Sequence, residues 1–525
     1  MDPGQMFFGG LLRAAQAGLE AAPTLICGLI IAAVFSQMLG PRRTAQLFGE
    51  GTRQALLRAW ILGMLLPVCS LGVFPIIREL RRSGISGGSI LAFALSGPLF
   101  NPLTFLYGLT LSEPMVIICF SFASLAVVTI AGLVWDRLFP HSAMELPAEP
   151  PPLPYGLTRL FAVLLAASRT LVSSSMLYMM MALIGVGLLG AFIPFGALET
   201  TMKHDDPMSP VIMSGVATPA YISPMRAMMQ MGLLFEHGNS VGAGLTLLIL
   251  GAGFNLGVIV WIWRYYHTRA MITWLLLLVL TVLAISYAIN TPLDFATNRE
   301  GHTHAFDEFT NPFHHPLFAA EYLTQIKAKL SERMEVHEYV SLYALAGLAV
   351  LGLLVRLSER FGSWESWLRR KPQNAETDVN APWWNRPLPN RVLAGIALVA
   401  LVAFSILGCY LYYPDESVLF DQMRVYRVEV QSEVLSYHPE KPQDHLQRMI
   451  PKLDDLSRKL EVSLFLRRWT LDPTIHELAE EYRETLEHLR DGAREKKLKQ
   501  EELPGYNATI YRLHEALRKK VKEGA

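Results

Sequence analysis

Residues Pro67–Pro102 read PVCSLGVFPIIRELRRSGISGGSILAFALSGPLFNP. The stretch is mostly apolar and belongs in a membrane or a core. It also carries four prolines (Pro67, Pro75, Pro98 and Pro102), with Cys69, several glycines and serines, and Asn101. Each proline removes a backbone donor and interrupts a helix ladder. In hydrocarbon an unsatisfied backbone group costs several kcal/mol, so broken backbone survives only where protein or a water-filled cavity surrounds it. The stretch predicts a discontinuous, re-entrant element of a transporter rather than a plain spanning helix.

The rest of the chain suits a membrane. Of its 525 residues 51% are hydrophobic and 18% charged, with a formal net charge of zero. That is below the roughly 25% charged residues of a soluble domain, and the balance gives no reason to expect a nucleic-acid partner. Cys27, Cys69, Cys119 and Cys409 lie in apolar stretches and form neither a CxxC pair nor a disulfide framework. The N-terminus lacks the basic region and small-residue cleavage site of a signal peptide, so its first apolar segment is expected to be retained.

Apolar segments of about 20 residues, enough to cross a bilayer, fall near 19–40, 88–112, 114–136, 160–193, 241–263, 271–290, 337–357 and 391–413. Segments 56–83 and 208–234 are apolar but interrupted, and read as re-entrant hairpins. The expected fold is an all-α polytopic membrane protein with about eight spans, two re-entrant hairpins in an inverted repeat, and a C-terminal soluble helical bundle. Its expected parts are a first permease repeat (1–138), a Pro-rich cytoplasmic linker (139–158), a second repeat (159–270), additional spans (271–413) with an outer loop (291–336), and an extracytoplasmic bundle (414–525).

Basic residues set the expected orientation. Arg42, Arg43, Arg53 and Arg58 follow the first span, and Arg78, Arg81 and Arg82 close the first hairpin on the same, cytoplasmic side. Arg137, Arg159, Arg264, Arg269 and the basic run Arg356–Arg391 also fall inside. By alternation the 203–206 loop, the 291–336 loop and the tail lie outside. The tail should form helices near 416–437, 442–468, 472–492 and 506–522, with Asp472 before Pro473 as a helix start.

An ungapped match supports the repeat. GISGGSILAFALSGPLFN (84–101) aligns with GNSVGAGLTLLILGAGFN (238–255), sharing Gly84/Gly238, Ser86/Ser240, Gly88/Gly242, Leu91/Leu245, Gly97/Gly251, Phe100/Phe254 and Asn101/Asn255. With the arginine orientation, the two copies run in opposite directions through the membrane. Inverted repeats with discontinuous helices build midplane binding sites in many secondary transporters.

The candidate substrate-binding residues follow from the breaks. In the first hairpin they are Cys69, Ser70 and Gly72, facing a helix expected to begin at Pro75; helix N-termini attract anions and activate thiols. In the second they are Thr218, Pro219 and Ser223, the last preceding Pro224. Pro98, Asn101 and Asn255 interrupt otherwise apolar runs, and a buried amide must find partners. A lone buried cysteine is usually just a small apolar residue, but in a broken element it is also a ligand candidate for a soft metal or metalloid. His302, His304, His314 and His315 form a second cluster where zinc or copper could bind, against the plainer reading of a solvated His-rich loop. No cofactor is expected.

The motifs of 67–102 resemble the bacterial predicted-permease family that includes the organoarsenical efflux permeases. The shared residues are Pro67, Cys69, Ser70, Gly72, Pro75, Leu80, Arg81, Arg82 and Gly84, then Ala92, Phe93, Pro98, Asn101 and Pro102. The resemblance implies a multi-span permease of the bacterial inner membrane that expels toxic compounds. Two departures bear on substrate: Leu71 stands where the family has a second cysteine, and the second repeat, PAYISP (219–224), has none.

The expected function is therefore secondary-active export of a small solute, with metals, metalloids and organic toxicants as candidate classes. There is no P-loop, no catalytic triad and no intramembrane carboxylate pair in the sequence pattern, so an enzyme is not expected. The alternative class is a non-transporting membrane sensor or assembly anchor, working through the tail and the His-rich loop. The expected partners are the lipid bilayer, a small solute, and a protein that docks on the C-terminal bundle.

Overall fold

Long apolar helices with breaks in mid-sequence organise the computed structural model. It describes residues 1–49, 52–111, 114–140, 158–198, 201–204, 206–236, 239–293, 306–313, 315–334, 336–358, 399, 403, 406–410, 412–435, 437 and 444–523. Among these, regular structure is helical apart from a bridge between Lys203 and Asn239. The chain divides into two compact units, one of Met1–Phe105 with Met115–Leu401, the other of Leu106–Pro114 with Val402–Ala525.

In the first unit, α1 (Pro3–Val34) runs through a π-helical turn, Phe35–Leu39, into α2 (Gly40–Phe48). The elements α3 (Thr52–Leu65), α4 (Val73–Arg82), α5 (Gly87–Ser96), α6 (Pro102–Leu111, whose residues from Leu106 on belong to the second unit) and α7 (Pro114–Leu138) follow. The second half runs α8 (Thr158–Leu171), α9 (Ser175–Phe192), α10 (Ser209–Ala217), α11 (Pro224–Glu236), α12 (Val241–Thr246, prolonged by a π-helical turn Leu247–Ala252) and α13 (Leu256–Asn290). Two further helices, α14 (Ala319–Arg333) and α15 (Val336–Ser358), complete the described part.

Among the described residues, five helical stretches are long and apolar enough to cross a membrane: Pro3–Phe48, Pro114–Leu138, Ser175–Phe192, Leu256–Asn290 and His337–Ser358. They present apolar side chains outward, among them Phe122 on α7, Leu177 and Phe192 on α9, Leu280 on α13 and Val350 on α15. A water-facing protein rarely leaves such continuous apolar surface uncovered; lipid accepts it.

Several segments read as single spans are broken. The 88–112 stretch is two ten-residue helices, α5 and α6, because Pro98 and Pro102 cannot continue an α-ladder. The 241–263 stretch breaks between Ala252 and Leu256, where Asn255 is extended (φ −168°) and caps the next helix. The 160–193 stretch is two helices separated near Ser173. Within α13, His267 (φ 72°) kinks the chain between Arg264 and Arg269, where a loop was expected. Most of 391–413 lies outside the described residues.

The second unit holds the tail as four helices: α16 (Glu416–Leu435), α17 (Asp444–Arg468), α18 (Pro473–Arg494) and α19 (Leu503–Glu523). Their apolar faces share one core that includes Leu419, Met423, Leu453, Leu460, Tyr482, Leu486, Ile510 and Leu517. Asp472 caps α18 by accepting from the Thr474 amide at 3.0 Å, as the Asp–Pro pair predicts. Within that core Glu461 is fully buried and held by Arg483 and, at 2.6 Å, by His476 Nδ1.

Candidate solute site

The first break, Leu66–Gly72, joins α3 to α4. Gly72 is the residue just before α4, which starts at Val73, two residues ahead of Pro75. A first-turn proline needs no donor in either register. The Gly72 amide points at the Cys69 sulfur, 3.4 Å away, and the Val73 amide donates to the Cys69 carbonyl at 3.1 Å. Cys69 and Ser70 are fully buried, and the Ser70 hydroxyl has no hydrogen-bond partner.

The second break, Thr218–Ser223, joins α10 to α11, which begins at Pro224 as the Ser–Pro pair predicts. Ser223 Oγ accepts from the Arg226 amide at 3.4 Å, while the Thr218 hydroxyl turns back to the Ser214 carbonyl at 2.6 Å. The Tyr221 hydroxyl is buried beside the Cys69 thiol of the first break.

The two halves make the same contacts. Ser86 Oγ donates to Asp136 Oδ2 at 3.0 Å, 50 residues ahead, and the Gly88 amide donates to Asp136 Oδ1 at 2.8 Å, 48 residues ahead. In the second half Ser240 Oγ reaches Asn290 Oδ1 at 2.9 Å over 50 residues, and the Gly242 amide reaches the same oxygen at 2.9 Å over 48. Asn101 Oδ1 accepts from the Thr104 amide (2.9 Å) and Asn255 Oδ1 from the Val258 amide (3.1 Å), three residues on in both cases. A Cβ on Gly97 would meet Val68, and one on Gly251 would meet Ile222, at 3.1 and 3.2 Å. Val68 precedes Cys69 and Ile222 precedes Ser223, so the second half carries a hydroxyl where the first carries a thiol.

Each break is pressed against a long helix. A Cβ on Gly28 of α1 would overlap the Gly72 carbonyl, and one on Gly185 of α9 would overlap the Pro219 carbonyl. Only hydrogen at these Cα atoms lets the helix approach so closely. The halves also meet each other: Asn255 Nδ2 points to the Ser70 carbonyl at 3.4 Å, and a Cβ on Gly253 would lie 2.9 Å from the Leu95 carbonyl. Cys69, Ser70, Gly72 and Asn255 thus come together. Asn101 and Pro98, both buried, cap or interrupt their own chain, and Asn101 has the helix-capping role described above.

Beside the second break lies a cavity of about 30 Å³, lined by Arg13, Gln16 and Glu20 of α1, Tyr221 and Ser223 of the break, and Glu308. That is room for about one water. Arg226 Nε stands 3.4 Å from Glu20 Oε1, and its Nη1 3.5 Å from Glu308 Oε1. Gln230 donates to Glu308 at 3.2 Å, and Arg13 donates to the Thr310 carbonyl at 2.9 Å. Sequence reading missed this group. Glu20 falls at the edge of the span expected at 19–40, whereas α1 starts at Pro3 and carries it well inside. An acidic residue inside an apolar helix is itself the signal that could have found it.

The 306–313 part of the expected outer loop folds back on α1: the Asn311 side chain donates to the Gln5 carbonyl at 2.9 Å. His302, His304 and His314 lie outside the described residues, and His315 is exposed. Among the described residues no three His, Cys, Asp or Glu side chains gather as a metal site. Cys27 of α1 is a neighbour of Cys69.

Broken helices packed inside a shell of lipid-facing ones, with buried polar groups at the breaks, define a multi-pass membrane protein of the transporter class. The chain belongs to the ArsP_1 family of predicted permeases, whose model matches residues 12–291. It is also similar to UPF0718 protein YcgR of Bacillus subtilis (strain 168), 26% identical over 134 residues. That match covers 25% of this chain and 46% of YcgR. No solved structure matches.

Proposed function

We propose that this permease is a secondary-active exporter of the bacterial plasma membrane, and that its solute passes between the two breaks. The observation that carries the reading is the meeting of the broken segments at Ser70–Asn255 and Leu95–Gly253, between two halves whose helix starts at Ser86 and Ser240 carry the same hydrogen bonds. Two halves of one design, placed in opposite orientations, would expose the site to each side in turn by rocking against each other. The arginine pattern supports that inversion. On this reading Cys69, Ser70, Gly72, Tyr221, Ser223 and Asn255 touch the solute, while Thr218, Pro219, Pro98, Asn101 and Pro75 shape the backbone around it. The tail would lie outside the cytoplasm and offer its surface to a protein partner.

The test is resistance and vesicle transport. Bacteria expressing the chain are challenged with a panel of metal ions, trivalent metalloids and organic toxicants, and everted vesicles are assayed for uptake of whichever compound the chain protects against. Cys69→Ala and Asn255→Ala should abolish that uptake with the protein still in the membrane. Full uptake by both variants would defeat the proposed path. A thiophilic solute is the favoured class within this reading, because Cys27 stands near Cys69 and a soft metal or metalloid is best held by more than one thiolate.

A further inference from the structure

Buried cations in the tail bundle come with carboxylates, with one exception. Among the described residues its interior holds four Lys or Arg side chains: Arg427, Arg458, Lys459 and Arg483. Arg458 Nε stands 3.1 Å from Asp454, Lys459 Nζ stands 3.0 Å from Asp455, and Arg483 is held by the fully buried Glu461. Arg427 is 6% exposed, and no ion pair joins it to an acid among the described residues. Its Nε and Nη1 have no hydrogen-bond partner. The Tyr511 ring covers the guanidinium face, 4.7 Å from its carbon. Such a cation–π contact attracts the charge and leaves the N–H edge unfilled. A buried cation without a counter-charge is strongly unfavourable.

We propose that Arg427, Tyr482 and His514 form a binding site for a small anion inside the tail bundle. The site is independent of the permease reading, because it lies in the second unit and needs no transported solute.

Three helices bring the donors together: Arg427 is on α16, Tyr482 on α18 and His514 on α19. The Tyr482 and His514 rings stand 6.3 Å apart, and the Arg427 charge acts on both. Tyr482 is fully buried and His514 is 1% exposed, yet neither the Tyr482 hydroxyl nor His514 Nδ1 has a hydrogen-bond partner. Buried polar atoms are nearly always satisfied, so four orphaned atoms at one spot point to a shared partner that is not part of the chain.

The chemistry of these atoms selects the class of that partner. The guanidinium only donates. Burial pushes the Tyr482 phenol up, so it keeps its O–H to donate. Burial, with Arg427 and Arg518 adding to it, pushes the His514 imidazole down to about 4, so at neutral pH the ring is uncharged and has one N–H to offer. The charges acting on Tyr482 and His514 are Arg427 and Arg518, both positive. Donors in a positive field take an anion rather than a cation or a neutral solute. Phe420 packs edge-on against His514, and Leu486 and Leu517 belong to the same close-packed core. The occupant is therefore small, a halide ion or a single carboxylate group, and it would tie α16, α18 and α19 together.

The test is hydrogen–deuterium exchange of the full chain in lipid nanodiscs, read by mass spectrometry in potassium chloride, formate or gluconate of equal ionic strength. Chloride and formate are small enough to enter, and gluconate is not. A ligand of the native state stabilises it. Amides of α16, α18 and α19 should exchange severalfold more slowly in chloride or formate than in gluconate, with α1 and α7 unchanged. Slowing by chloride alone assigns the site to a halide, whereas slowing by formate shows that it accepts a carboxylate. In Arg427→Met the three salts should give the same exchange. Tyr482→Phe keeps the ring and removes one donor, so the salt concentration for half-maximal protection should rise severalfold; this variant decides the matter if Arg427→Met does not fold. Equal exchange of the wild-type bundle in all three salts would overturn the proposal. So would full protection in Arg427→Met, or an unchanged half-maximal concentration in Tyr482→Phe.

Discussion

The two halves of the permease unit share a scaffold and differ in chemistry. The serine, glycine and asparagine contacts recur at the same spacings, as do the glycine approaches that seat each break against a long helix. Among the differences are Cys69 against Ser223, Asp136 against Asn290, and a charged cavity beside the second break. The repeated contacts hold the same helix starts in both halves, and the unshared side chains give each half its own chemistry.

That division can be broken most forcefully at the close approaches. Gly28→Val and Gly185→Val should each destabilise the protein by about 3 kcal/mol or more, since a branched side chain must displace a backbone carbonyl in a packed interior. Melting in detergent and the yield of monodisperse protein would measure it. A large effect in one half alone would end the claim of equivalence.

Next come the paired caps. Asp136→Ala and Asn290→Ala each strand a serine hydroxyl and a glycine amide, and should cost about 1–3 kcal/mol apiece. Asp136→Asn should cost well under about 1 kcal/mol, because the second half already satisfies the same two donors with an amide oxygen. If Asp136→Asn melts like Asp136→Ala, the carboxylate has a role that its counterpart lacks. The smallest expected effect on stability is Cys69→Ser, which installs the second half's residue in the first. Melting should be nearly unchanged, whereas resistance to a thiophilic toxicant should fall; a loss of resistance to every compound on the panel would instead mark a structural role.

Much of this was legible in the chain itself. The 84–101 and 238–255 match, the prolines and the arginines announced a repeated, broken, membrane-embedded design, and the tail's helices follow its apolar spacing and its proline breaks. Periodicity could not show that 88–112 contains a break, because a continuous apolar run reads as a span until the prolines in it are weighed individually. The charged cavity was hidden for a different reason. Glu20, Arg226 and Glu308 are far apart in the chain, and each looks unremarkable beside its own neighbours. That Cys27 lies near Cys69 could not be read from the chain, because no spacing rule connects a spanning helix to a distant break.

The family match ends at residue 291, yet one wall of the cavity, with Glu308 and Phe309, comes from beyond it. One wall around this polar spot is thus contributed by residues outside the stretch that the family model describes.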